Sequence, residues 1–294
     1  MSAYKCNLVL AGFGKSGTSS LHEYLGLHPQ IVMSTVKEPH YFSVDKQWRL
    51  GPSYHNSLFA LDGKQNVRYF GEASTTYSNS QTALSRIKNE LSDPRIFLIL
   101  RNPVERAISH YRWIYALGLE NRPILEAFGD DGFGFDPNQS WEGNYKSYLQ
   151  FSSYSKIVPE WQKVFGAENV LLLFTDELAQ DPSVVVSKCF DFLGLESIGN
   201  FTPINANRTE SASRIVVRPF AKAMYKVIPA YFRDVLKELP LMKRFWHAAT
   251  QYEIRKDLPA ITHEERIDVV GMLQYEIAYY NSLREIHSLL DRKP

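Results

Sequence analysis

The stretch AGFGKSGTSS, Ala11 to Ser20, joins a short apolar run (Asn7 to Leu10) to a segment with apolar positions at helical spacing (Ser19 to Leu27). A glycine-rich turn between a buried strand and the start of a helix is where backbone N–H groups converge on an anion. Gly12, Gly14 and Gly17 are free to take positive φ and let the main chain approach a ligand closely, while Lys15, Ser16, Thr18 and Ser19 add a charge and hydroxyl donors. The turn reads as a cradle for a phosphate-like group.

Its spelling narrows the choice of anion. A mononucleotide loop, G-x-x-x-x-G-K-[ST], needs lysine directly after Gly17, yet Thr18 stands there and the lysine is displaced back to Lys15. The dinucleotide fingerprint G-x-G-x-x-G is matched literally by Gly12, Gly14 and Gly17, with Glu38 near the position of a ribose-binding acid. That acid should end the second strand, whereas the strand-like run QIVMS (Gln30 to Ser34) stops before Glu38, which sits in a Lys-Glu-Pro-His loop.

A chain of 294 residues with 44% apolar content suits one globular α/β domain spanning residues 1–294. Strands are expected near Asn7 to Gly12, Gln30 to Ser34, Arg68 to Glu72, Ile96 to Arg101 and Val170 to Phe174. Several are short and wholly apolar, as strands covered on both faces must be. Helices are expected over Ser19 to Leu27, Gln81 to Leu91, Val104 to Leu117, Tyr154 to Phe165 and Pro182 to Leu193. The alternation implies a P-loop-like, three-layer fold with a central parallel sheet flanked by helices. Ligands in such sheets sit at the carboxyl ends of strands, and Gly14, Glu38, Ser74 and Arg101 all fall just beyond such ends.

The segment Arg101-Asn102-Pro103-Val104-Glu105 has a local physical reading. Asn102 is an N-cap, Pro103 suits the first helical position, and Glu105 completes a capping-box pattern. Arg101 then stands at a strand end with a guanidinium fork suited to two phosphate oxygens, and Ser109 can face the same anion from the helix. Taken alone, the same letters describe an arginine paired with a local carboxylate and a serine on an ordinary helix.

Lys37-Glu38-Pro39-His40-Tyr41-Phe42, then Gly71-Glu72-Ala73-Ser74, then RIFLILRNPVERAISHYRW (Arg95 to Trp113) occur in the order and spacing of carbohydrate-type sulfotransferases. The chain resembles the branch holding the heparan sulfate sulfotransferases and their bacterial relatives, which use 3′-phosphoadenosine 5′-phosphosulfate (PAPS) as donor. Asn169 to Leu195 and Leu258 to Leu283 resemble later segments of the same family. The resemblance implies that Gly14, Lys15, Ser16, Gly17, Thr18 and Ser19 hold the donor's phosphosulfate, that Arg101 and Ser109 hold its 3′-phosphate, and that Arg208, in Asn205 to Ser211, closes over it. It places a glutamate base at Glu38. A carboxylate there can take the proton of an attacking sugar hydroxyl, and Lys15 can stabilise charge developing on the departing 3′-phosphoadenosine 5′-phosphate (PAP). Lysine, arginine and the helix N-terminus supply the positive charge, so no metal is required.

His40 has two readings, as a group orienting Glu38 or touching the acceptor, and as a packed core histidine. A departure from the heparan-modifying pattern falls at Ala73, where those enzymes carry lysine. Two other classes remain open on these letters, a Rossmann-type NAD(P)-dependent oxidoreductase and a nucleotide-binding protein without catalysis.

The rest sets bounds. A net charge of +1 argues against nucleic acid or another polyanion as partner of the whole molecule. Residues 208–256 concentrate basic side chains between apolar ones at near-helical spacing, which suits docking on an anionic glycan, a glycolipid or a membrane surface, or a solvated helix face. The stretch 118–143, rich in Gly, Pro, Asp and Asn, reads as an irregular loop or acceptor-side lid. Cys6 and Cys189 lack metal-ligand spacing and read as buried free thiols. With neither a cationic leader nor a long apolar run, the sequence reads as cytosolic.

Overall fold

The computed structural model describes residues 5–131, 135–139, 144–198 and 257–290. Five strands, β1 (Leu8–Gly12), β2 (Ile31–Met33), β3 (Tyr69–Ala73), β4 (Arg95–Leu100) and β5 (Val170–Phe174), form one sheet in the order β2-β3-β1-β4-β5. Every pairing is parallel. All five strands and all five helices expected from the sequence are present, to within one residue at either end.

The apolar runs are strands because alternate residues point to opposite faces and both faces are covered. Val9 and Ala11 of β1, with Ile96, Leu98 and Leu100 of β4, enter one core, together with Trp161 and Tyr154 of the helix Tyr154–Phe165. Leu8 and Leu10, with Phe97 and Ile99, enter the other, against Leu21 and Leu25 of α1 (Thr18–Gly26) and Val186 and Phe190 of the helix Pro182–Phe192. Strand order reverses at β1, which lies between β3 and β4. The carboxyl ends of these three strands therefore frame a crevice, the place where open parallel sheets take ligands.

Other helices escaped the sequence reading. Asp45–Trp48, Gly51–Ser57 and Thr175–Gln180 are too short to show a period. Within 118–143, expected to be irregular, Ile124–Gly129 is helical, with Ile124, Ala127 and Phe128 buried on one side. The carboxyl-terminal part forms His263–Met272, started by a capping box of Thr262 and Glu265, and Gln274–Leu290.

The chain groups into two compact units. The larger comprises Met1–His110, Pro123–Ala206 and Ile261–Pro294 and holds the sheet; the smaller comprises Tyr111–Arg122 and Asn207–Ala260. In the smaller unit the Glu120 carboxylate accepts from the Asn121 and Arg122 N–H groups and from the Arg122 guanidinium at 2.7 Å, closing a turn on itself. The basic segment 208–256 and Arg208 lie outside the described residues. Among the described residues no helix is long and apolar enough to cross a membrane. Cys6 and Cys189 are both buried free thiols.

Candidate active site

The cradle is built by a turn and an uncapped helix. Ser16 N donates to Phe13 O at 3.2 Å across Gly14 and Lys15, and Lys15 takes a left-handed φ of 68°. Positive φ at the third residue alone makes this a type II turn. Of the three glycines only Gly17 is left-handed, with φ 96°. Gly12 is required for a different reason, since a Cβ there would stand 2.7 Å from the Cβ of Ser78. The left-handed geometry expected of Gly14 thus falls on Lys15, at a backbone cost of about 1–2 kcal/mol. Such outliers cluster where ligands are held.

Gly17 is the N-cap of α1, no side chain caps the helix, and no acid lies in its first turn. The first-turn N–H groups, around buried Thr18 and half-buried Ser19, are orphan donors at the positive end of the helix, which fits an anionic ligand. The loop is braced from below. Arg101 donates from Nη1 to Lys15 O at 3.1 Å, and Thr175 Oγ1 lies 2.6 Å from Ser16 O and 2.9 Å from Leu100 O. Tyr154 donates to Arg101 O at 2.9 Å. Burial, then the charges of Arg101 and Lys37, push the Lys15 ammonium down to about 8.

Asn102 caps the helix Pro103–Ala116, its Oδ1 accepting from Val104 N at 3.1 Å and Glu105 N at 3.3 Å. The expected capping box is only half made, because the Glu105 carboxylate pairs instead with Arg266. Ser109 is half-buried on the same helix.

Glu38 sits at the mouth of the crevice in a left-handed conformation, φ 60°, its N–H donating to Ala73 O at the end of β3. Its Oε1 lies 2.7 Å from Lys37 Nζ, and its Oε2 accepts from Thr75 N at 2.8 Å and Thr75 Oγ1 at 3.2 Å. Tyr145, hydrogen-bonded to Thr75 Oγ1, approaches the same Oε2 at 3.5 Å. Burial pushes the Glu38 carboxyl up, but the Lys37 ammonium, His40 and the hydrogen bonds from Lys37 and Thr75 outweigh it and hold the group below the usual carboxylate range. A carboxylate fixed in this way is ionised across the neutral range, and the Lys37 ammonium that holds it also acts on the charge of Lys15.

His40 also has a left-handed φ, 52°, and is almost fully buried. Its Nδ1 lies 2.9 Å from Thr76 Oγ1 and 3.9 Å from Glu38 Oε2, so the histidine is both packed and adjacent to the carboxylate. Below it, Glu72 is buried in a knot of hydrogen bonds, accepting from Tyr77 OH at 3.0 Å on each oxygen and lying 3.1 Å from His55 Nε2. Cys6, His55 and Glu72 bring one ligand atom each within 4.8 Å of one another, but these contacts already engage both Glu72 oxygens, so the cluster ties the core.

The structure thus brings Gly14, Lys15, Ser16, Gly17, Arg101, Glu38 and His40 to one crevice. Sequence reasoning placed Ser74 beyond a strand end but missed the hydroxyls that follow it, Thr75-Thr76-Tyr77-Ser78, which supply partners to Glu38, His40 and Glu72. Five consecutive hydroxyl residues after a strand end are the signal that would have found them. Thr175 and Tyr145 leave no such trace.

The family model described as Sulfotransferase domain matches residues 5–214. Among curated proteins, the chain is 31% identical over 195 residues to heparan sulfate glucosamine 3-O-sulfotransferase 6 of Homo sapiens, covering 65% of this chain and 52% of that protein. It is 29% identical over 196 residues to human heparan sulfate glucosamine 3-O-sulfotransferase 3B1, covering 65% and 46%. The chain spans about half the length of the curated relatives it matches. Among solved structures, a sulfotransferase from Alicyclobacillus acidocaldarius superimposes with a TM-score of 0.58 at 26% identity, covering 81% of this chain and 99% of that one.

Proposed function

Because the chain belongs to the sulfotransferase domain family, we propose that it transfers a sulfonate group from PAPS to a hydroxyl of a glycan, glycolipid or related acceptor. The observation that carries this reading is Glu38, an ionised carboxylate locked by Thr75 and Lys37 at the rim of an uncapped, lysine-bearing anion cradle. The heparan sulfate relatives favour a glycan as acceptor.

In the proposed reaction the acceptor hydroxyl gives its proton to Glu38 as its oxygen forms the new bond to sulfur. The bond between sulfur and the bridging phosphate oxygen breaks in line, and its electron pair stays on that oxygen. Lys15 and the N–H groups opening α1 stabilise the charge that develops there. Arg101, Ser109 and Arg208 take the 3′-phosphate. His40 acts beside Glu38. The missing cation at Ala73 has a nearby substitute in Lys37, whose charge already reaches Lys15. The basic segment 208–256 is the proposed docking surface for an anionic acceptor or a membrane, and a cytosolic location goes with this reading.

Single-turnover transfer from labelled PAPS, alongside calorimetric binding of PAP, tests the assignment on Glu38→Gln. Glutamine keeps the reach of the side chain but is no useful base, so turnover is expected to fall about a hundredfold or more while PAP affinity stays near wild type. Normal transfer by the variant would sink the base assignment. NAD binding lost with Glu38, and no PAP binding at all, would move the chain to a dinucleotide-binding class.

A further inference from the structure

The Ser16–Gly17 peptide of the cradle is held by a residue from another strand end. Strand β5 pairs with β4 in the register Leu100↔Phe174, so the next residue, Thr175, comes to the end of β4, beside the turn that follows β1. Its Oγ1 lies 2.6 Å from Ser16 O and 2.9 Å from Leu100 O. Both partners are carbonyl oxygens, which only accept, so the Thr175 hydroxyl is the donor. Two oxygens 2.6 Å apart need a hydrogen between them, which directs its single hydrogen chiefly to Ser16 O. Ser16 is fully buried, and among the described residues no other group donates to its carbonyl.

That bond decides which way the peptide faces. In a planar trans peptide the C=O and the following N–H point in opposite directions, and Ser16–Gly17 is trans. With Ser16 O drawn to Thr175, Gly17 N–H points away from Thr175 and, among the described residues, meets no acceptor. Nothing local fixes this orientation. Turning the peptide over changes the sign of φ at Gly17, now 96°, and glycine accepts either sign. The reversed peptide would present a carbonyl oxygen in place of an N–H at the start of the uncapped helix α1, where it repels an anion.

We infer that Thr175 is a positioning residue for donor binding, its hydroxyl holding the Ser16–Gly17 peptide so that Gly17 N–H joins the groups that receive the anion. It acts on the turn from 159 residues away in the chain. That the anion is the phosphosulfate of PAPS rests on the proposed function. The orientation of the peptide is a property of the ligand-free protein, so the two stand or fall separately.

Ser16–Gly17 is the one Ser-Gly pair in the chain, so protein labelled with carbonyl carbon-13 serine and nitrogen-15 glycine shows this peptide as a single NMR cross-peak. Thr175→Val removes the hydroxyl and keeps the branched shape; Thr175→Ser keeps the hydroxyl. In the ligand-free valine variant the Ser16 carbonyl signal is expected to move as its hydrogen bond is lost. PAP is expected to bind that variant about tenfold more weakly by calorimetry, with the serine variant near wild type in both measurements. A merely structural part would lower Tm and leave PAP affinity alone. An unmoved carbonyl signal in Thr175→Val overturns the anchor. Unchanged PAP affinity in a variant whose signal has moved, or a serine variant as weak as the valine one, overturns the positioning role. A wild type that binds no PAP refutes the donor instead; inorganic sulfate titrated against the Gly17 amide then reads the same role, and an equal response in wild type and Thr175→Val overturns it.

Discussion

Lys15 is the residue where the cradle and the stability of the fold conflict, and Lys15→Met exposes the conflict. In the ligand-free protein its ammonium is displaced from 10.5 to about 8, by burial first and then by Arg101 and Lys37. At about 1.4 kcal/mol for each tenfold step, keeping it charged at pH 7 costs at most about 3 kcal/mol, and screening of its half-buried side chain brings the expected figure to about 1–2 kcal/mol. Methionine keeps the length of the side chain and the same left-handed backbone, so that backbone cost cancels. The ligand-free variant should therefore be more stable at pH 7, its Tm higher by about 2–6 °C. The sign with pH follows from linkage: below about 8 the lysine is charged in both states and the cost is complete. Between about 8 and 10.5 the folded protein releases the proton while the unfolded chain retains it, and the cost disappears. The variant's advantage should shrink over that range. Thermal denaturation of both proteins from pH 7 to 10, with and without PAP, measures it. Wild type should gain about 2.7 kcal/mol at a hundred times the dissociation constant, the variant little or nothing. A variant less stable than wild type at pH 7, or a difference independent of pH, would refute the reasoning.

The same displacement predicts the pH profile: kcat/KM for the donor should decline above about pH 8 as Lys15 loses its proton, and the decline in kcat should lie higher because bound anion holds the proton on. The acid limb should lie below the ordinary 4.5 of a glutamate, because Glu38 is held down by Lys37, His40 and Thr75 against its own burial; an acid limb near pH 6 would contradict that environment. Gly12→Ala should destabilise by about 1–3 kcal/mol in chemical denaturation, since the added methyl lies 2.7 Å from Ser78 Cβ in a packed region. Lys64 donates to the carbonyls of Gly26, His28 and Ile31 at 2.6, 3.0 and 2.7 Å, so Lys64→Met should lower stability by about 1–3 kcal/mol while PAP affinity holds.

The order of elements and the glycine-rich turn were legible because their causes are local. Runs such as RIFLIL and VLLLF, bounded by turn residues, have few ways to be buried other than as covered parallel strands. The cradle was legible because glycines, a lysine and hydroxyls follow the first strand in one continuous stretch. Even there the glycines were misread: sequence says which residues tolerate positive φ, but the turn put it on Lys15, and the neighbour that forbids a side chain at Gly12 is Ser78, far along the chain.

The sequence by itself determined a parallel α/β sheet and pointed to a candidate anion site at the end of β1 and to Arg101, from short-range patterns of burial, capping and charge, while Glu38 became a candidate through the resemblance of its Lys-Glu-Pro-His loop to the sulfotransferase family. Only the tertiary structure decided what Glu38 and His40 are. Thr75 and Thr76 follow β3 and reach Glu38 and His40, which follow β2, because β2 pairs with β3, and Tyr145 arrives from a third segment much later in the chain. A carboxylate's basicity is set by the donors and charges within a few ångströms, and those distances do not exist until the sheet has closed.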